Sequence, residues 1–157
     1  MLVLKNARLI DGSGADPQEG VTLYIDGTTV QAITHDTEPE TPPDATVYDL
    51  QGLTVIPGLM DCHVHITIDA NPDAKPKRIT SIPIRDRAYW KARVLMQTLR
   101  SCEATLHSGF TTVRDVAAYN DHIFPLRDAI ADGEFPGPRI LASGHCLAHT
   151  GGHGTET

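Results

Sequence analysis

The chain has 157 residues, 40% of them apolar, so it is long enough and apolar enough to bury a core and is expected to fold as a globular protein. Thirteen basic residues against 20 acidic ones give a formal net charge of -7, with 5% aromatics and no clustered Lys/Arg run, a balance that disfavours nucleic acid as a partner. No apolar run approaches the ~20 residues of a membrane span, and "MLVLKNARLIDG" lacks the regions of a signal peptide, so the expectation is a soluble cytoplasmic protein. The cysteines, Cys62, Cys102 and Cys146, are odd in number and form no CxxC, which argues against a disulfide framework or a zinc ribbon.

Residues 1–56 read as short strands joined by turns. "LVLKNARLI" alternates apolar and polar residues, "DGSGADPQEG" is loop, and "VTLYIDGTTVQAI" is two strands around Asp26-Gly27, a strong hairpin signal. The Pro- and acid-rich "THDTEPETPPDA" is a surface loop, after which "TVYDL" and "LTVIPGLMDCHVHI" flank Gln51-Gly52. This part is expected to be all-β, and neither an internal repeat nor a low-complexity tract interrupts it.

Residues 57–157 change character. "RDRAYWKARVLMQTLRSCEATLHSG" spaces Ala88, Ala92, Leu95, Leu99, Cys102 and Leu106 three or four apart, with Gly109 beyond the end, so it predicts an amphipathic helix with a glycine C-cap. "FTTVRDV" follows as a strand. "NDHIFPLRDAIADG" predicts a second helix, capped by Asn120 or Asp121 and ended by Gly133, and "PRILASG" another strand. Strand, helix, strand, helix, strand is the order of a parallel sheet with crossover helices, whose ligands bind beyond the carboxyl ends of the strands.

Both strand ends that can be located carry histidine. In "VIPGLMDCHVHI", His63 and His65 stand one residue apart, so on a regular strand they share a face. They are either a hydrogen-bonded core pair or half of a metal site; their place at the ligand-binding end favours metal, and neutral imidazole suits zinc. The other strand end runs into "GHCLAHTGGHG". There His145, His149 and His153 are four apart, which on a helix would stack them, but the glycines oppose a helix. A surface loop is one alternative, and a loop over the pocket in which His153 touches substrate is the other. Asp61 either orients a ligand histidine or bonds backbone amides near the strand end. Asp115 either reaches into the mouth or pairs with a neighbouring cation, the simpler expectation. Cys62, opposite to the histidines by alternation, is expected in the core.

"VIPGLMDCHVHI" resembles the PGLxDxHxH signature of the amidohydrolase superfamily, and the preceding β segment resembles the small accessory sheet of those enzymes. "GFTTVRDV", "DGEFPGPRILASG" and "TGGHG" are similar to the branch of Xaa-Pro dipeptidases (prolidases) and imidazolonepropionase-like proteins. The resemblance implies an α/β fold: an accessory β-sheet over residues 1–56, then, over residues 57–157, the first three strands of a (β/α)8 TIM-type barrel. It implies one or two divalent metals, most often zinc, with His63 and His65 as ligands and His153 contacting substrate. The activity implied is hydrolysis of an amide bond in a dipeptide or N-acyl amino acid by a metal-activated water, or of a cyclic amide as in imidazolonepropionase, in a homo-oligomeric enzyme.

The rest of that ligand set is not met here. The family takes a bridging carboxylated lysine from strand four, histidines from strands five and six and an aspartate from strand eight, whereas Lys5, Lys75, Lys77 and Lys91 lie in a first strand, a polar loop and a helix. The expectation is therefore an N-terminal portion completed by a C-terminal remainder of the same enzyme. A non-catalytic metal-binding or assembly fragment is the reading from a different class.

Overall fold

The computed structural model describes residues 1–35, 41–68, 82–118, 122–150 and 152. The chain divides into two compact units, Met1–Pro57 and Gly58–Thr157.

The first unit contains β1 (Leu2–Leu9), β2 (Gln18–Asp26), β3 (Thr29–Thr34), β4 (Thr46–Asp49) and β5 (Thr54–Val55). They form one sheet in the order β3-β2-β1-β4, with β5 also on β1. The hairpin signal is realised: Asp26 pairs with Thr29, and Gly27 supplies the positive φ of 55° that the tight connection requires. Alternation along β1 buries Val3, Ala7 and Leu9, and Ala7 and Leu9 pack with Val21 and Leu23 of β2. Both β4 and β5 run parallel to β1, a pairing that strand periodicity alone does not specify.

The second unit holds β6 (Leu59–Val64), a 3-10 turn (Ile84–Asp86) leading into α1 (Arg87–His107), β7 (Phe110–Asp115), α2 (Ile123–Ala131) and β8 (Arg139–Ala142). The three strands are parallel, in the order β6-β7-β8. This is the α/β order expected from the alternation of periods. On the helix side of the sheet, Val113 and Ile140 meet Cys102 of α1 and Ile123 and Leu126 of α2, with Ile66 and Ala118 completing the cluster. The two glycines expected to stop the helices do so, Gly109 at φ 89° and Gly133 at φ 78°. His122 is the N-cap of α2 and makes no side-chain capping bond; Asn120 and Asp121 lie outside the described residues. No helix among the described residues is long and apolar enough to cross a membrane.

Two local features differ from the periodic reading. The apolar run around Val55 is not one strand: it leaves the first sheet after Val55 and re-enters a ladder at Leu59. Pro57 has no N–H to give to a ladder, and a side chain on Gly58 would collide with Thr111 of β7, so this Pro-Gly pair separates the strands and lets β6 start tight against β7. On α1 only Thr98 and Cys102 are fully buried, while Ala88, Ala92 and Leu95 stay exposed. The described strands cover the C-terminal half of the expected stripe.

Gly58→Ala should lower stability by about 1–3 kcal/mol through overpacking against Thr111, read as a reduced urea midpoint. The buried Cys102 thiol is pushed up to about 12, by desolvation first and the neighbouring Asp115 second. Between the thiol's ordinary value of about 8.5 and that raised one, the unfolded chain gives up a proton that the folded chain keeps. Stability is therefore expected to fall as pH rises through this window, with iodoacetamide at neutral pH modifying Cys102 only as the protein unfolds. Rapid labelling of the folded protein at Cys102 would contradict this burial.

Candidate metal centre

The carboxyl ends of β6 and β7 bring His63, His65, Arg114 and Asp115 to one place. β6 does not run regularly to its end. Asp61 lies opposite Val113 and Val64 opposite Asp115, so β6 fits one more residue than β7 into the same stretch. That is a bulge, which reverses the faces of the residues beyond it. Val64 consequently packs toward the helix-side core, whereas His63 and His65 on either side of it are exposed.

A bulge takes backbone groups out of the ladder, and each needs another partner. Asp61 Oδ1 accepts the His63 N–H at 2.9 Å, so of its two expected roles this carboxylate fills the backbone one. Arg114 Nε donates to the Cys62 carbonyl at 2.7 Å. Asp115 Oδ2 accepts the Ile66 N–H at 2.8 Å, and the Val64 carbonyl takes the Val116 N–H at 3.1 Å. Every one of these contacts holds the segment that carries the two histidines.

The two imidazoles meet edge to face, with centroids 5.4 Å apart and planes at 80°. The His65 Nδ1 lies 3.3 Å from the Ala117 carbonyl. A carbonyl can only accept, so Nδ1 is the donor of this contact, which in a neutral ring leaves Nε2 as the nitrogen for a ligand. With a zinc–nitrogen bond of ~2.0–2.1 Å, a ring centroid lies roughly 3.2 Å from the ion, and two rings at a tetrahedral angle stand about 5.2 Å apart. In donor type and spacing the pair therefore suits a divalent ion. In number it falls short, because among the described residues no group of three or more His, Cys, Asp or Glu side chains gathers closely enough to hold one.

Two expectations need correction. Among the described residues Asp115 forms no ion pair with Arg114 or another cation and its Oδ1 has no hydrogen-bond partner: it is wholly buried and bonds the Ile66 amide. Burial pushes its carboxyl above the usual carboxylate range, against the opposing pull of the Ile66 amide, the His65 ring and the Ala117 amide. Cys62 is exposed rather than in the core, since the bulge breaks the alternation on which that expectation stood. As the glycines there imply, no helix runs through residues 145–150, and His149 Nδ1 donates to the adjacent Thr150 carbonyl at 2.9 Å. His153 lies outside the described residues. The residues that sequence reasoning undervalued are Arg114 and Asp115, and the signal was available: an adjacent pair of opposite charges closing an otherwise uncharged strand.

The model of the amidohydrolase family matches residues 54–156. Ochratoxinase from Aspergillus niger is 36% identical over 100 residues, 64% of this chain and 19% of its own length. A Xaa-Pro dipeptidase structure with methionine bound in the active site superposes with a TM-score of 0.76 at 32% identity, covering 98% of this chain and 36% of that one. A prolidase complexed with N-methylphosphonate-L-proline gives a TM-score of 0.75 at 31% identity, over 98% of this chain and 34% of that one. The chain thus spans about a third of the length of the matched structures and about a fifth of the curated relative. With β6, β7 and β8, their crossover helices and the histidine pair all falling inside residues 54–156, the chain belongs to the amidohydrolase family.

Proposed function

We propose that this chain carries the first-strand portion of a metal-dependent amide-bond hydrolase, and that the complete enzyme cleaves a dipeptide or an N-acyl amino acid. The observation that carries the proposal is the pair His63 and His65 at the carboxyl end of a parallel strand, spaced as two imidazoles on one ion are spaced. The three parallel strands are read as the first three of a (β/α)8 barrel, completed by a C-terminal remainder. The sheet face away from the helices supports this: Met60 and Leu141 are 71% and 56% exposed on strands of a type normally covered on both faces. The substrate class rests on the relatives, a Xaa-Pro dipeptidase and a prolidase holding a phosphonate built on proline. A tetrahedral phosphorus bonded to the proline nitrogen has the shape of an amide carbonyl under attack.

In this reading His63 and His65 hold one or two divalent ions, and neutral imidazole as the ligand suits zinc. When bound, such an ion polarises an amide carbonyl and brings the pKa of water toward ~7. The chain's own residues fix the donors. The Ala117 carbonyl holds the His65 tautomer that presents Nε2, and the Asp61 carboxylate holds the His63 amide. His153, in the glycine-rich segment after β8, donates a hydrogen bond to the substrate's carbonyl or carboxylate. A cytoplasmic homo-oligomer is the expected setting. A cyclic-amide substrate is the alternative within the class, and a panel of Xaa-Pro dipeptides, N-acyl amino acids and cyclic amides decides between them.

Replacing His63 and His65 together by alanine in the complete enzyme is expected to remove metal, measured by elemental analysis, and to abolish turnover on that panel. Full metal occupancy in the double variant would sink the assignment. For His153→Ala the lost hydrogen bond to a charged partner, worth about 1.5–3 kcal/mol, predicts a fall in kcat/KM of roughly ten- to a hundredfold. Metal content should not change. Loss of metal would make His153 a ligand, and unchanged activity would make the segment structural.

A further inference from the structure

We infer that Arg114 and Asp115, neighbours on β7, form a two-sided clamp on the backbone of residues 62–66 that sets the spacing of His63 and His65, which makes them positioning residues for the metal site. The inference rests on the metal reading above. Adjacent residues of a strand point to opposite faces. Arg114 therefore reaches the segment from the open side of the sheet, where its Nε takes the Cys62 carbonyl at 2.7 Å. Asp115 reaches it from the helix side, where its Oδ2 takes the Ile66 N–H at 2.8 Å. The two anchor points bracket both histidines.

Each contact goes to a backbone group at the irregular end of β6, where the regular ladder no longer fixes the chain. Two imidazoles bind one ion well only if their separation is set beforehand, because any freedom between them has to be lost on binding. Asp115 is suited to that task. It is 0% exposed and its strand packs into the core through Val113, so its oxygen cannot drift from Ile66. Arg114 is exposed, but its short contact closes the other end of the segment. The clamp accounts for a buried carboxylate directed at a backbone amide and for an arginine directed at a backbone carbonyl.

The test uses the complete enzyme loaded with Co2+, whose absorption spectrum reports coordination geometry. The variants are Arg114→Met, Asp115→Ala and Asp115→Asn, with Ile140→Val as a control that trims the same core from β8, a strand paired with β7 and not with β6. Affinity is measured by chelator competition, stability by urea unfolding of the metal-free protein. Arg114→Met and Asp115→Ala should weaken Co2+ binding by about ten- to a hundredfold and shift the spectrum at unchanged stoichiometry. Asp115→Asn keeps an oxygen for the Ile66 amide and should recover most of the affinity. Ile140→Val should lose stability and keep its affinity. Wild-type affinity and spectrum in Arg114→Met and in Asp115→Asn alike, together with the same in any folded Asp115→Ala, would overturn the clamp. So would equal loss in the Ile140→Val control, or an Arg114→Met effect confined to KM for carboxylate substrates. The metal reading fails separately, through Co2+ retained by the variant lacking both histidines. In that case hydrogen exchange still reads the clamp itself, since the Ile66 amide should exchange slowly in the wild type and in Asp115→Asn and quickly in Asp115→Ala.

Discussion

The extra residue in β6 between Asp61 and Val64 is the constraint on which the site depends. Without it, a strict alternation from the Asp61–Val113 pairing would turn His63 and His65 to the side of Val113, which is the side of the helices. There Cys102, Ile123 and Leu126 would meet them with apolar surface, and burial of unpaired imidazoles is unfavourable. With it, Val64 takes the core position and both rings emerge on the open side. The cost is a set of backbone groups without ladder partners, each worth about 1–3 kcal/mol if left bare in a buried setting. Asp61, Arg114, Asp115 and the Val116 amide remove that cost. A single insertion thus explains why two acids and an arginine crowd one strand end.

Much of the fold was legible because it rests on local chemistry. The Asp26-Gly27 turn, the helix-ending glycines at 109 and 133, and the change from a two-residue to a three-to-four-residue apolar period all act over a few residues, and each appears where it was read. What was not legible was pairing. Nothing in "TVYD" or "TV" says that β4 and β5 run parallel to β1, because register is settled by contacts across more than 40 residues.

The site shows the same boundary. An HxH pair at a strand end is visible in one line of sequence, and its chemistry follows from imidazole. The bulge is not visible, since it appears only against β7, and every reading that assumed regular alternation inherited the error. Cys62 was placed in the core by that rule and is exposed. Asp115 was given a cation because charged residues usually find one, but its partner is an amide 49 residues away in sequence.

The sheet of the second unit has two unlike faces, and the difference bears on how a two-histidine arrangement can work. Toward the helices lie Val113, Ile140 and Asp115, all buried; away from them lie Met60, Cys62, Arg114 and Leu141, all exposed. The histidines share the second face. A catalytic zinc takes about three protein ligands, so two imidazoles alone bind weakly, and further ligands have to approach from the side the helices do not occupy. Ligands brought by separate strands raise affinity only to the extent that each is already in place when the ion arrives. A pair fixed to its own strand by backbone contacts, rather than by other ligands, keeps its geometry whatever supplies the remaining donors. That independence is the physical reason for investing three charged side chains in holding the backbone of residues 62–66.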